Sequence, residues 1–238
     1  MIAALVPSGV VAVDAFEDHG FDGLYAEERA LVHNAVEARK REFATVRACA
    51  RAALAGLGLP PAPVLPGRRN VPRWPEGVVG SMTHCAGYRA AAVARAGEVH
   101  AIGIDAEPDL ALPDGVLESI ATPGELAWAN AAPRSGGVHR PRLLFSAKES
   151  VYKAWFPLTG TEIDFPDATV HFPAAAPSGT TPEGAVAGTF TARMRFQGWT
   201  GDGRPVTGFG GRWLVHKGII VTVVTLPVIP ETVLPNRR

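Results

Sequence analysis

Twice along this 238-residue chain a segment of helical period is followed by short strand-like runs, and that order constrains the fold more than any other feature. The first helical segment is read from about Glu27 to Leu57, where Phe43, Val46, Ala50, Ala53 and Leu57 step by three and four residues along one helix face. Glu27 and Glu28 sit at the end where the helix dipole favours acids, and Gly56, Gly58 and Pro60-Pro61 supply stop signals. A proline-rich loop from Pro60 to Pro75 leads to strand-like runs at Val78 to His84, Tyr88 to Ala94 and Val99 to Glu107. Ala96-Gly97-Glu98 reads as a hairpin turn between the last two. The second pass has helices around Val116 to Ala131 and Pro141 to Phe156, the latter closed by Pro157. Strands follow at Ala168 to Phe172, Val186 to Phe196, Arg212 to His216 and Ile219 to Thr225, with a Lys217-Gly218 turn, and Pro173 to Gly184 reads as a surface loop. The expectation is an α+β fold of two similar halves, 1–108 and 109–238, each a helix packed on an antiparallel sheet.

Composition narrows the function classes. With 47% hydrophobic and 19% charged residues the chain can bury a substantial core, which excludes a disordered protein. The formal net charge is zero, so the molecule as a whole is no electrostatic nucleic-acid binder, and an acidic ligand must be met by local clustering. Between Arg39 and Trp74 lie Arg39, Lys40, Arg41, Arg47, Arg51, Arg68, Arg69 and Arg73, with Glu42 the only acid before Trp74. Cys49 and Cys85 lack the number and spacing of a disulfide framework or zinc site, which predicts reduced thiols and a cytoplasmic protein. The apolar opening Met1 to Val6 stops at Pro7 without a basic lead-in, so neither a targeting segment nor a membrane span is expected.

Three short motifs can carry chemistry. In Val99 to Pro108 an apolar strand ends in Asp105 and Glu107, two residues apart and therefore on one side of the strand. Two such carboxylates can hold a hard divalent cation, magnesium typically keeping waters and phosphate oxygens for its remaining positions; a polar strand end capped by Pro108 is the structural alternative. In Phe145 to Trp155, Glu149 and Lys153 are four apart and share a helix face. They are also compatible with an exposed ion pair, and Ser146-x-x-Glu149 with a capping box. Gly80-Ser81-Met82-Thr83-His84-Cys85 places a hydroxyl and an imidazole at a strand end, without the Gly-x-Ser-x-Gly elbow of a serine hydrolase.

Taken in order, these motifs together with Glu42 to Arg51 and Pro72-Arg73-Trp74-Pro75 resemble the broad-range phosphopantetheinyl transferases, most closely the actinobacterial ones. The resemblance spans nearly the whole chain. It implies a monomeric pseudo-dimer of two α+β halves with coenzyme A in the cleft between them, and transfer of its phosphopantetheine arm to a serine of apo acyl or peptidyl carrier proteins with release of 3′,5′-ADP. It implies Mg²⁺, with Mn²⁺ as a substitute, held by Asp105, Glu107 and Glu149. Asp105 and Lys153 would meet the pyrophosphate, with Glu149 and Lys153 catalytic. His84, beside Thr83, would meet the 3′-phosphate, and Arg39, Arg47 and Arg69 the ligand phosphates. The family often carries Lys-Gly near the last, where this chain reads Arg68-Arg69-Asn70-Val71. No nucleic acid or membrane partner is implied. Rival readings are a metal-dependent nucleotide phosphohydrolase sharing the same metal site, and a non-catalytic module that holds coenzyme A or docks carrier proteins.

Overall fold

The computed structural model describes residues 1–18, 20–173 and 183–229, so most of the loop expected between Pro173 and Gly184 lies outside the described residues. Strands β1 (Val10–Ala15), β4 (Val78–Cys85) and β5 (Tyr88–Arg95) form an antiparallel sheet in the order β1-β5-β4. A second antiparallel sheet contains β6 (Val99–Pro108), β9 (Ala168–His171), β10 (Val186–Trp199), β11 (Pro205–His216) and β12 (Ile219–Pro227), in the order β6-β12-β11-β10-β9. Two short ribbons, β2 (Leu65–Pro66) with β3 (Pro72–Arg73) and β7 (Arg134–Ser135) with β8 (Val138–His139), shape the intervening loops. The α-helices are α1 (Ala26–Leu31), α2 (Glu37–Gly56), α3 (Val116–Ile120), α4 (Pro123–Ala131) and α5 (Arg140–Thr159). None of the helices described is long and apolar enough to cross a membrane.

Each long helix covers a sheet. The stripe of α2 comprising Cys49, Ala50, Ala53 and Leu54 is buried over Ala91 and Val93 of β5. On α5, Leu144, Ala147, Val151, Ala154 and Trp155 are buried over Ala101, Phe190, Ala192, Phe209 and Val224. Burying side chains of the size of Leu or Phe contributes roughly 1.5–3 kcal/mol each, so these two stripes fix where the helices lie.

Five local expectations are corrected. The helix read from Glu27 to Leu57 is two helices, because the chain turns back between α1 and α2 and tucks Leu24 and Val32 against Phe43 and Ala44. The segment from Val116 to Ala131 is likewise two, restarted at Thr122-Pro123, where the Glu125 carboxylate accepts from the Thr122 backbone in a capping box. Pro157 does not close α5; it stands in the last turn, and Gly160 at φ 67° ends the helix. Strand β1 was not anticipated. Finally, β5 and β6 form no ladder: β6 pairs with β12, from Pro108 opposite Ile219 to Val99 opposite Pro227. The Lys217-Gly218 turn is as expected, both residues having positive φ, 51° and 71°.

Strand β6 lies between the two sheets. Its free edge faces β4, where the Ser81 hydroxyl accepts from the Ile104 amide at 3.1 Å and the Thr83 hydroxyl from the Ala106 amide at 3.0 Å. Both contacts advance in the same direction, so β4 and β6 run parallel, bridged by side chains instead of a backbone ladder. Alternation along β4 sends Ser81 and Thr83 to this seam and leaves Met82 and His84 for the opposite side.

Candidate active site

A cleft of about 580 Å³ opens between α2 and β4 on one wall and α5 on the other. Arg39, Arg47, Arg69, His84, Glu149 and Lys153 line it, together with apolar Phe43, Val46, Met82, Tyr152 and Phe156. Six of the nine residues singled out from sequence thus share one cavity. Asp105, Glu107 and Thr83 lie outside its lining, on β6 and at the β4 seam.

The acidic group is positioned by the crossing of α5 over β6. Gly103 is the contact point: a Cβ there would stand 2.7 Å from the Ala154 amide nitrogen and closer still to the Ser150 carbonyl. With Gly103 facing α5, Asp105 and Glu107 face it too, as the two-residue period requires. Asp105 is buried; its Oδ1 takes the Lys153 ammonium at 2.6 Å and the Thr83 hydroxyl at 3.4 Å, while Oδ2 is buried with no hydrogen-bond partner among the described residues. Glu107 Oε2 accepts from Arg142 Nη1 at 2.9 Å, and Arg142 also holds the carbonyls of Leu110 and Ala111. Glu149 takes no hydrogen bond from any described residue. Burial and the Asp105 charge push the Glu107 and Glu149 carboxyls above the ordinary glutamate value, against the opposing pull of Lys153 and, for Glu107, of Arg142. The capping-box reading of Ser146 is excluded, since α5 begins six residues earlier, and Lys153 pairs with Asp105 instead of Glu149.

The opposite wall is cationic. Arg47 is buried, its guanidinium 3.2 Å over the Phe43 ring and its Nε donating to the Val64 carbonyl; burial lowers it to about 10, so it is charged at neutral pH. Arg39 Nη1 contacts His84 Nε2 at 2.9 Å. Burial, reinforced by Arg39, Lys153 and Arg89, lowers His84 despite Glu42, which keeps the ring neutral and fits Nε2 as acceptor. Arg69, at φ 54°, lines the cleft while paired with Glu162, Nε to Oε1 at 2.8 Å. Fully buried Glu28 pairs with both Arg51 and Arg47, at 3.1 and 3.7 Å, while Arg41 forms an exposed pair with Glu37. Sequence reasoning missed Glu42, Arg89, Arg142 and Glu162, which hold the site residues. A lone acid in a basic run was the available signal for Glu42.

Residues 27–94 match the 4'-phosphopantetheinyl transferase N-terminal domain, and residues 101–202 match the 4'-phosphopantetheinyl transferase superfamily. The chain is 54% identical to the 4'-phosphopantetheinyl transferase Svp of Streptomyces mobaraensis over 95% of its own length and 89% of that protein's. It is 43% identical to PptT of Mycobacterium tuberculosis, over 95% of this chain and 98% of that one. To Npt of Nocardia iowensis it is also 43% identical, over 94% and 99%. The chain belongs to the 4'-phosphopantetheinyl transferase family.

Phosphopantetheinyl transfer is therefore its activity, and neither the phosphohydrolase nor the binding-module alternative is supported by these relatives. Transferases of this family use coenzyme A as substrate and typically a divalent metal. Among the described residues no group of three or more His, Cys, Asp or Glu side chains stands at metal-ligating separation. The donor chemistry nevertheless fits a hard cation: among the described residues Asp105 Oδ2 is buried and unpartnered and Glu149 takes no hydrogen bond, and burial together with the Asp105 charge raises both glutamates.

Proposed function

We propose that the cleft binds coenzyme A with its 3′-phosphate against His84, Arg39 and Arg47 and its pyrophosphate toward Lys153, and that a carrier-protein serine attacks the β-phosphorus there. The observation that carries this reading is the facing of two unlike walls across one cavity: arginines of α2 with the His84 imidazole of β4 on one side, and Glu149 and Lys153 of α5 on the other, Lys153 being paired with Asp105 of β6 beside the cavity. Coenzyme A needs such an arrangement, because its phosphates are negative at two separated points. Arginine suits the nucleotide end through paired hydrogen bonds, and lysine acts as a point charge at the pyrophosphate.

Asp105, Glu107 and Glu149 would hold a divalent cation of the magnesium class, which when bound supplies charge neutralisation at the pyrophosphate. Glu149, which takes no hydrogen bond from the described residues, accepts the serine proton as the new O–P bond forms. The bond from phosphorus to the 3′,5′-ADP oxygen breaks, and Lys153 offsets the charge on that departing group. Thr83 fixes Asp105 from behind through its 3.4 Å hydrogen bond. Arg69 reaches a ligand phosphate by exchanging Glu162 for it. The recipients are apo acyl or peptidyl carrier proteins, met by a monomer in the cytoplasm, with no nucleic acid partner.

Metal dependence tests the acidic wall. Chelator-treated protein is expected to lose transfer and to regain it with Mg²⁺, while Asp105→Asn does not regain it at the same Mg²⁺ concentration. Equal recovery in Asp105→Asn would remove Asp105 from the cation site.

A further inference from the structure

A carboxylate, Glu42, stands against Arg39 and His84 of the cationic wall, and a negative charge beside the place where phosphate is to bind requires an explanation. Glu42, on α2, is largely shielded, with 21% of its side chain exposed. Its Oε2 accepts from Arg39 Nη1 at 2.8 Å, and its Oε1 lies 3.4 Å from His84 Nδ1 and 3.6 Å from Arg89 Nη2. Arg89 itself is immobilised on β5: its side chain is 8% exposed, Nη2 reaches Asp18 at 2.7 Å, and Nη1 donates to the Cys85 carbonyl at 2.6 Å. By contrast the side chains of Arg39 and His84 are 44% and 38% exposed and come from different elements, α2 and β4.

Resting on the reading of His84 and Arg39 as the 3′-phosphate site, we propose that Glu42 is the positioning residue of that site, tying Arg39 and His84 to the fixed Arg89 so that both meet the phosphate already oriented. An exposed Arg–Glu pair alone contributes little, and a long arginine side chain loses rotamer freedom on meeting a ligand. Holding Arg39 and His84 in place before binding removes part of that cost. A carboxylate 2.8 Å from Arg39 also repels a phosphate, so the two effects predict opposite signs for its removal. Positioning prevails here because Glu42 contacts Arg39, His84 and Arg89 together, and its Oε1 approaches the Nδ1 side of a ring whose Nε2 faces Arg39.

Steady-state transfer to an apo carrier protein, measured with coenzyme A and with 3′-dephospho-coenzyme A, tests this on wild type, Glu42→Gln and Glu42→Ala, with thermal unfolding of each. Wild type should show a higher KM for the dephospho substrate; equal KM values would overturn the 3′-phosphate reading and this inference with it. Given that discrimination, Glu42→Ala should raise the KM for coenzyme A about tenfold, the loss of one charge-assisted hydrogen bond. Its kcat should stay within about twofold, with an unchanged KM for the dephospho substrate. Glu42→Gln, which still accepts from Arg39, should fall between. A lower or unchanged KM for coenzyme A in both variants, or equal increases for both substrates, overturns the positioning role while leaving the 3′-phosphate reading standing. Should Glu42→Ala prove unfolded, the Glu42→Gln ratio alone decides.

Discussion

At the residue scale, chemistry was more legible than partnership. The acids Asp105, Glu107 and Glu149, and Lys153, His84 and Arg47, stand out as candidates because their residue types and spacing match a family pattern. Their neighbours could not, since pairing across 93 residues, as between Arg69 and Glu162, leaves no local signature. Thr83 illustrates the gap: its position beside His84 suggested a ligand contact, whereas its hydroxyl is spent on the Ala106 amide and Asp105. His84 yields a prediction about stability. Its pKa in the folded protein lies below the ordinary 6.5, so below that pH the unfolded chain binds more protons and stability falls as pH falls. The contribution is fully present above 6.5 and is lost on acidification toward and through the folded value. Thermal unfolding between pH 7.5 and 5 should show a smaller acid-side decline for His84→Gln than for wild type; an identical decline would mean that the ring titrates as it does unfolded. At neutral pH, His84→Ala should mainly weaken coenzyme A binding.

At the element scale, the long helices and most strands followed from period and turn chemistry, and the misreadings share a cause. The amphipathic stripe of α2 begins at Phe43, so nothing in the spacing required helix from Glu27 onward, and the break before Glu37 follows from tertiary packing of Leu24 and Val32. The β5 to β6 hairpin looked sound locally, since the Glu98 amide does donate to the Arg95 carbonyl across the turn, yet β6 gains more by pairing with distant β12. Gly103 is the element-scale residue on which the acidic group depends, because α5 backbone crosses β6 at its Cα. Gly103→Ala should push α5 away, cost about 1–3 kcal/mol or more in chemical denaturation, and separate Lys153 from Asp105. Its transfer rate should fall further than its folded fraction does. Wild-type activity per folded molecule would show that this crossing does not set the site.

At the scale of the whole molecule, the repeated order of helix and strands was the strongest signal in the sequence, and it matches two sheets each covered by a long helix. What the order did not reveal is that β6, numbered with the first half, is hydrogen-bonded into the second sheet and held to the first by the hydroxyls of Ser81 and Thr83. That seam sets the arginines of α2 and His84 of β4 across from Glu149 and Lys153 of α5, with Asp105 of β6 paired to Lys153. The account therefore stands or falls on transfer from this cleft with Glu149 as base. The most direct measurement is the intact mass of an apo carrier protein incubated with coenzyme A, Mg²⁺ and either wild type or Glu149→Gln, with nucleotide release followed in parallel. The prediction is a gain of one phosphopantetheine matched by 3′,5′-ADP with wild type and none with Glu149→Gln. Nucleotide release without a change in carrier mass, or full transfer by Glu149→Gln, would contradict it.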